Sequence, residues 1–176
     1  SGSILGDIQS GFIANVGLNI FNKYVIDSIE GKSEDKSSIL ETEIKLDCYW
    51  GSSIPKSYID ADSERIDIYK RLEHSEPNKV DEIKNEIIDR FGNVPEITDN
   101  LFSTAKIRSI LQTKEILRCK IREFQIELFP VDLTEDLKLS IEKYDKRFIF
   151  RNKRLVLNFQ HTLTPESTYE LLDSIL

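Results

Sequence analysis

The sequence predicts an α+β fold, a helical, bundle-like part packed on a small, mostly antiparallel sheet, and three observations predict it. Apolar residues recur at helical spacing between Asp62 and Gln112, the period shortens to two beyond Leu117, and Gly and Pro punctuate the boundaries. With 176 residues and 39% hydrophobic content, the chain is long enough to bury a core. No apolar run approaches the roughly 18 to 20 residues of a membrane span. The start, SGSILGDIQSG, lacks the charged and apolar regions of a signal peptide, so a soluble, cytoplasmic protein is expected.

From Phe12 to Ile29, Leu18, Phe21, Val25 and Ile29 share one helical face, and Gly31 supplies a stop. The polar stretch GKSEDKSSILET that follows reads as a linker. Three units are therefore expected: residues 1–30, a linker over 31–42, and a main domain over 43–176. In TEIKLDCY, Ile44, Leu46 and Cys48 alternate with Glu43, Lys45 and Asp47, the pattern of a half-buried strand. Gly51, Ser52, Ser53 and Pro55 end it, and Asp62 is the expected N-cap of a helix burying Ile66, Tyr69 and Leu72. A second helix is expected from about Asn78, with Asp81 and Glu82 in its first turns and a buried stripe of Val80, Ile83, Ile87 and Phe91. Gly92 stands where a left-handed C-cap belongs, and Pro95 opens a third helix over about Glu96–Gln112, with Ile97, Leu101, Ala105 and Leu111 inward.

Beyond it, Ile116 to Arg122 are expected to pair with the alternating Phe124, Ile126 and Leu128. Leu133, Leu137, Ile141 and Tyr144 return to helical spacing. FIF, a polar turn at Arg151 to Lys153, and LVLNF then form a second strand pair, and Thr164 with Pro165 opens a last helix running to Leu176.

Chemistry is poorly supported. No GxxxxGK[ST] phosphate cradle occurs, Cys48 and Cys119 are isolated from one another and from His, and His74 and His161 both lie in polar contexts. Catalytic, cofactor and metal sites are therefore not expected in this chain. Charge is more informative. Between Tyr58 and Asn100 there are twelve Asp and Glu against six Lys and Arg, a net of −6 out of the chain's −7. Such a surface repels phosphates and suits a basic protein face. At about 100° per residue from Val80, Glu82, Glu86 and Asp89 fall near 200°, 240° and 180°, opposite the buried stripe. They form either a solvated helix back or a docking stripe for Arg and Lys. Basic residues cluster at Lys114, Arg118, Lys120 and Arg122, and again from Lys143 through Lys146, Arg147, Arg151, Lys153 and Arg154, with Phe148 and Phe150 between. This second group is a candidate nucleic-acid face, but eight acidic residues lie between Lys114 and Arg154, across the span of the two clusters, and favour solvated strand edges.

IPKSYI, SERIDIYKRL and EIIDRFGNVPEITDNLF running on into AKIRSI, all between Glu43 and Leu111, resemble the C-terminal region of the bacterial transcription-repair coupling factors, the Mfd family. Beyond Leu117 the similarity weakens. ILGDIQSGF resembles the end of the translocation motif that this family shares with the RecG helicase, with Gly6, Gln9 and Gly11 at the matching positions. The motif's Arg would precede Ser1, so this chain is expected to lie immediately downstream of a motor. The resemblance implies a parent that binds stalled RNA polymerase, uses ATP and magnesium to translocate on double-stranded DNA, and recruits the repair protein UvrA through a UvrB-like module. It further implies that this chain packs on that module and masks the UvrA-binding surface, with Glu86, Asp89 and Glu82 as the proposed contacts. The alternative is a nucleic-acid-binding accessory domain of a DNA helicase.

Overall fold

The computed structural model describes residues 44–176. The expected N-terminal helix, the linker and the motif residues Gly6, Gln9 and Gly11 lie outside them. Strand β1 (Lys45–Cys48) follows the alternation read from TEIKLDCY, and Ile44 beside it is buried. It is followed by three helices, α1 (Asp62–Glu73), α2 (Pro77–Phe91) and α3 (Glu96–Thr113), and then by the hairpin β2 (Arg118–Arg122) and β3 (Gln125–Phe129). Helix α4 (Glu135–Glu142), the hairpin β4 (Ile149–Arg151) and β5 (Arg154–Asn158), and α5 (Pro165–Ile175) complete the described residues.

The sheet order is β1-β2-β3-β5-β4. β1 runs parallel to β2, with Leu46 opposite Cys119, and every other pairing is antiparallel. The helices α1 to α3 therefore do not precede the sheet in the chain. They are inserted between its first two strands, because a parallel pair needs a long crossover and α1 to α3 supply it.

Helix α3 ties two cores together. Its first half buries Leu101, Phe102 and Ala105 against Val80, Ile83 and Ile87 of α2 and Ile68, Tyr69 and Leu72 of α1. Its second half buries Ile107, Ile110 and Leu111 against the sheet, with Leu171, Leu172 and Ile175 of α5. A helix apolar on both sides along its length belongs in the interior. Its start at Glu96 agrees with the sequence, though Ile97 is only half-buried.

The first helix departs from expectation in two ways. Its N-cap is Ala61, with no side-chain cap; Asp62 is instead the first helical residue and pairs with Arg65. The buried face holds Arg65, Ile68, Tyr69 and Leu72, leaving Ile66 half-buried. Arg65 turns inward because the loop before it needs donors: its Nη1 donates to the carbonyls of Ile59 at 2.7 Å and Asp60 at 2.8 Å. The Tyr69 hydroxyl accepts the backbone N–H of Ile54 at 2.7 Å, so two side chains of α1 satisfy the otherwise stranded backbone of IPKSYID.

Helix α2 opens one residue earlier than expected, with Pro77 in its first turn and Glu76 as N-cap. Burying Val80, Ile83 and Ile87 contributes on the order of 2 kcal/mol each, which fixes which side of α2 faces out. Gly92 ends the helix as predicted, at φ 88°. Its ψ of −163° places it in the extended, positive-φ region open to glycine, not in the left-handed helical region. Thr164 and Ser167 form a reciprocal capping box at the start of α5, as the Thr-Pro signal indicated.

Candidate functional site

Helices α1 and α2 present a continuous charged face on the side away from α3. Two ion pairs brace it. Arg71 of α1 grips Glu86 of α2 with both prongs of its guanidinium, Nη1 to Oε1 at 3.1 Å and Nη2 to Oε2 at 2.5 Å. Arg90 of α2 reaches back to Glu64 of α1 at 3.1 Å and lays its guanidinium over the Phe91 ring at 4.8 Å. The Tyr58 hydroxyl donates to the Gly92 carbonyl at 2.7 Å, fastening the preceding loop to the end of α2.

The three carboxylates singled out from the sequence do share this outward side, and all three are exposed. Their electrostatic states differ. Hydrogen bonding to Arg71, reinforced by the charges of Arg71, Arg90 and Lys79, holds the Glu86 carboxyl below the usual carboxylate range. Glu82 pairs with Lys79, three positions earlier, at 3.0 Å. Asp89, one turn beyond Glu86, makes no ion pair among the described residues. A basic partner would therefore meet a free carboxylate at Asp89 and an already half-neutralised one at Glu86.

Asp67 belongs to the same surface and escaped the sequence reading. It is exposed, and its charge acts on Arg71 one turn along α1, so Arg71 lies between two acids. The spacing from Asp67 to Arg71 is a legible helical pair; the joining of Arg71 to Glu86 is a tertiary event. Further along, Lys84 meets Asp99 at 2.5 Å and Lys106 meets Asp81 at 2.5 Å, which ties α2 to α3. The surplus acid of this region is thus partly spent in holding three helices in register, and of the carboxylates left without an ion pair, Asp67 and Asp89 lie on this face.

The alternative candidate fares differently. Phe148 and Phe150 are half-buried and pack against the sheet core, so they offer no exposed rings for base stacking. The alternation that suggested interleaved aromatics is the ordinary in-and-out alternation of an edge strand. His74 and His161 are both exposed. Burial pushes the Cys48 thiol up to about 12, with Asp47 adding to the rise and Arg122 opposing it. Burial also raises Cys119 well above the usual thiol range. Among the described residues, no group of three His, Cys, Asp or Glu is arranged to hold a metal ion.

Three comparisons with known proteins agree. A family model described as the TRCF domain matches residues 50–143. The chain is 31% identical over 133 residues to the transcription-repair-coupling factor of Bacillus subtilis (strain 168), covering 70% of this chain and 11% of that protein. To the transcription-repair-coupling factor of Buchnera aphidicola subsp. Acyrthosiphon pisum (strain APS) it is 36% identical over 114 residues, covering 62% of this chain and 14% of that protein. A crystal structure of the C-terminal domain of transcription-repair coupling factor superposes with a TM-score of 0.62 at 20% identity, covering 77% of this chain and 92% of that one, a likeness of fold. The matched segment spans 11% to 14% of the length of these curated relatives.

Proposed function

The chain belongs to the TRCF domain family, the C-terminal domain of transcription-repair coupling factors, and from that premise we propose that it is an autoinhibitory module within a longer, ATP-dependent DNA translocase. In this reading the acidic face of α1 and α2 packs on a basic face of a UvrB-like module in the same polypeptide and covers its UvrA-binding surface. Stalled RNA polymerase and double-stranded DNA engage the parent and release the mask. ATP and magnesium serve the parent's motor, and the reading gives this chain no chemical step. The bacterial cytoplasm is where such a protein would act; among the described residues no helix is long and apolar enough to cross a membrane.

The single observation that carries the proposal is the outward, exposed pair of acidic side chains Glu86 and Asp89 on a helix whose opposite side buries Val80, Ile83 and Ile87. A rigid backing matters, since a docking face that moves loses affinity to ordering costs. Weak contacts suffice when mask and target are tethered. At an effective concentration of about 1 mM, a contact with a Kd of about 100 µM keeps the site closed roughly ten times as often as open. Reversing two charges at the edge of such a contact, with each exposed pair worth up to about 1 kcal/mol, removes about 1.4 kcal/mol and brings closed and open to near parity.

The test is made in the intact parent protein with Glu86→Lys and Asp89→Lys together. UvrA binding and basal ATPase both rise if these residues hold the mask shut. Wild-type values for both, in a protein of unchanged thermal stability, would refute the reading.

A further inference from the structure

The side of the sheet turned away from α3 and α5 carries a second surface, unconnected with the acidic helices. Strand alternation sends Cys119, Ile121, Ile126, Leu128, Leu155 and Leu157 inward, so the intervening residues form the outer face. Register arranges them in rows across the strands. In one row Lys45 lies opposite Arg118, and Arg118 opposite Phe129. The adjacent row runs from Asp47 through Lys120, Glu127 and Val156 to Ile149. Arg151 lies opposite Arg154 at the far strand pair. Together they line a shallow depression of about 760 Å³.

Both acids on this face are already neutralised: Asp47 pairs with Arg122 at 2.7 Å, and Glu127 pairs with Arg154. Lys45, Arg118, Lys120 and Arg151 are exposed and make no ion pair among the described residues. A chain whose net charge is −7 thus keeps four uncompensated cations on one side of its sheet. Apolar groups stand among them, with Ile149 57% exposed, Phe129 37% exposed and Val156 half-buried beside them. An exposed patch mixing large apolar side chains with unpaired charge of one sign marks an interaction surface.

We infer that this outer sheet face binds an acidic protein segment carrying apolar side chains, its carboxylates meeting Lys45, Arg118, Lys120 and Arg151 and its apolar groups covering Ile149, Val156 and Phe129. The composition favours protein over nucleic acid. A single-stranded nucleic acid on a sheet stacks its bases on two or three exposed rings, whereas this face has Phe129 alone, with the Arg118 guanidinium 6.0 Å from its centroid. Ile149 and Val156 would then face sugar and phosphate, contributing nothing. Five strands at about 4.8 Å spacing give a track of roughly 19 Å, enough for a short extended segment.

The test uses a phage-displayed random peptide library panned on the immobilised chain, with the selected peptides resynthesised and titrated by fluorescence anisotropy. Expected are peptides enriched in Asp and Glu alongside Leu, Ile or Phe, binding at least about tenfold more weakly to Arg118→Glu/Arg151→Glu. The exposed Lys120→Glu repeats the comparison should the double variant fail to fold. Peptides without acidic enrichment, equal binding to the folded variants, or no selection above background would overturn the proposal. So would binding of an oligo-dT strand whose log–log salt slope is about −3, the value for neutralising four phosphates of a single strand with release of their counterions. Dimerisation of the chain through this face at the same concentrations would overturn it as well.

Discussion

Replacing Tyr69 by Phe removes one oxygen atom from the best-sealed part of the helical core. Tyr69 is 1% exposed and Ile54, whose N–H its hydroxyl accepts, is 4% exposed. Water has little access to replace the lost acceptor, so the substitution carries the cost of a buried donor left without this partner, about 2 kcal/mol within a usual range of about 1 to 3. With a urea dependence of roughly 2 kcal/mol per molar, the unfolding midpoint falls by about 1 M. The effect has a second signature in its pH dependence. Burial pushes the Tyr69 phenol well above its ordinary range, so the folded chain retains this proton when the unfolded chain has lost it. Stability from this group is therefore complete below the unfolded value near 10 and declines as pH rises beyond it. At pH 11 the wild type has lost about 1.4 kcal/mol through Tyr69, a loss the Phe variant does not share. The gap between the two proteins narrows from about 2 kcal/mol at pH 8 to about 0.6 kcal/mol at pH 11. Urea unfolding at both pH values, followed by circular dichroism, measures it. Equal stabilities at pH 8, or a gap that stays constant up to pH 11, would refute the account of how α1 holds the Ile54–Asp60 loop.

Two further outcomes follow from local geometry. Gly92 has φ 88° and ψ −163°, and a Cβ built there meets nothing within 4 Å, so Gly92→Ala is governed by backbone strain alone. A loss of about 1 to 3 kcal/mol in the same unfolding assay is expected, and Gly92→Asn recovers none of it, because Asn tolerates the left-handed helical region and not this extended one. Recovery by Asn would show that the helix ends in an ordinary left-handed cap. Burial raises both thiols, Cys48 to about 12 and Cys119 well above its usual range, so neither supplies much thiolate near neutrality. Labelling with a disulfide reagent at pH 8 is expected to be at least about 100-fold slower in the native chain than in urea, and comparable rates would contradict the placement of β1 against β2.

Local rules carried the elements whose cause is local. The stripe of Val80, Ile83 and Ile87 gave α2 and its outward side, alternation gave β2 and β3, and Thr164 with Pro165 gave the start of α5. What escaped depended on residues far apart in the chain. β1 finds its parallel partner some seventy positions away, at Arg118–Ile121, and nothing near Lys45 announces it. Arg65 reads as a surface cation until the carbonyls of Ile59 and Asp60 are seen to need it, and its inward turn moves Ile66 partly out of the core. At the acidic face, helical phase placed Glu82, Glu86 and Asp89 together, yet phase alone is blind to Arg71, which reaches Glu86 from another helix. The outer sheet row is hidden for the same reason, since Lys45, Arg118 and Arg151 come from three separate strands. Phe148 and Phe150 show the converse error, in which sequence proximity to Arg and Lys implied a shared face that strand alternation divides.

The most direct measurement of the mask is made in trans. This chain is titrated with the separately expressed UvrB-like module of its parent, the interaction being followed by isothermal calorimetry at low and at moderate salt. A Kd of about 100 µM is expected, weakening as salt screens the charges and weakening by about tenfold in Glu86→Lys/Asp89→Lys. An affinity that ignores both salt and the two reversals would contradict the account, because Glu86 and Asp89 would then lie outside the contact.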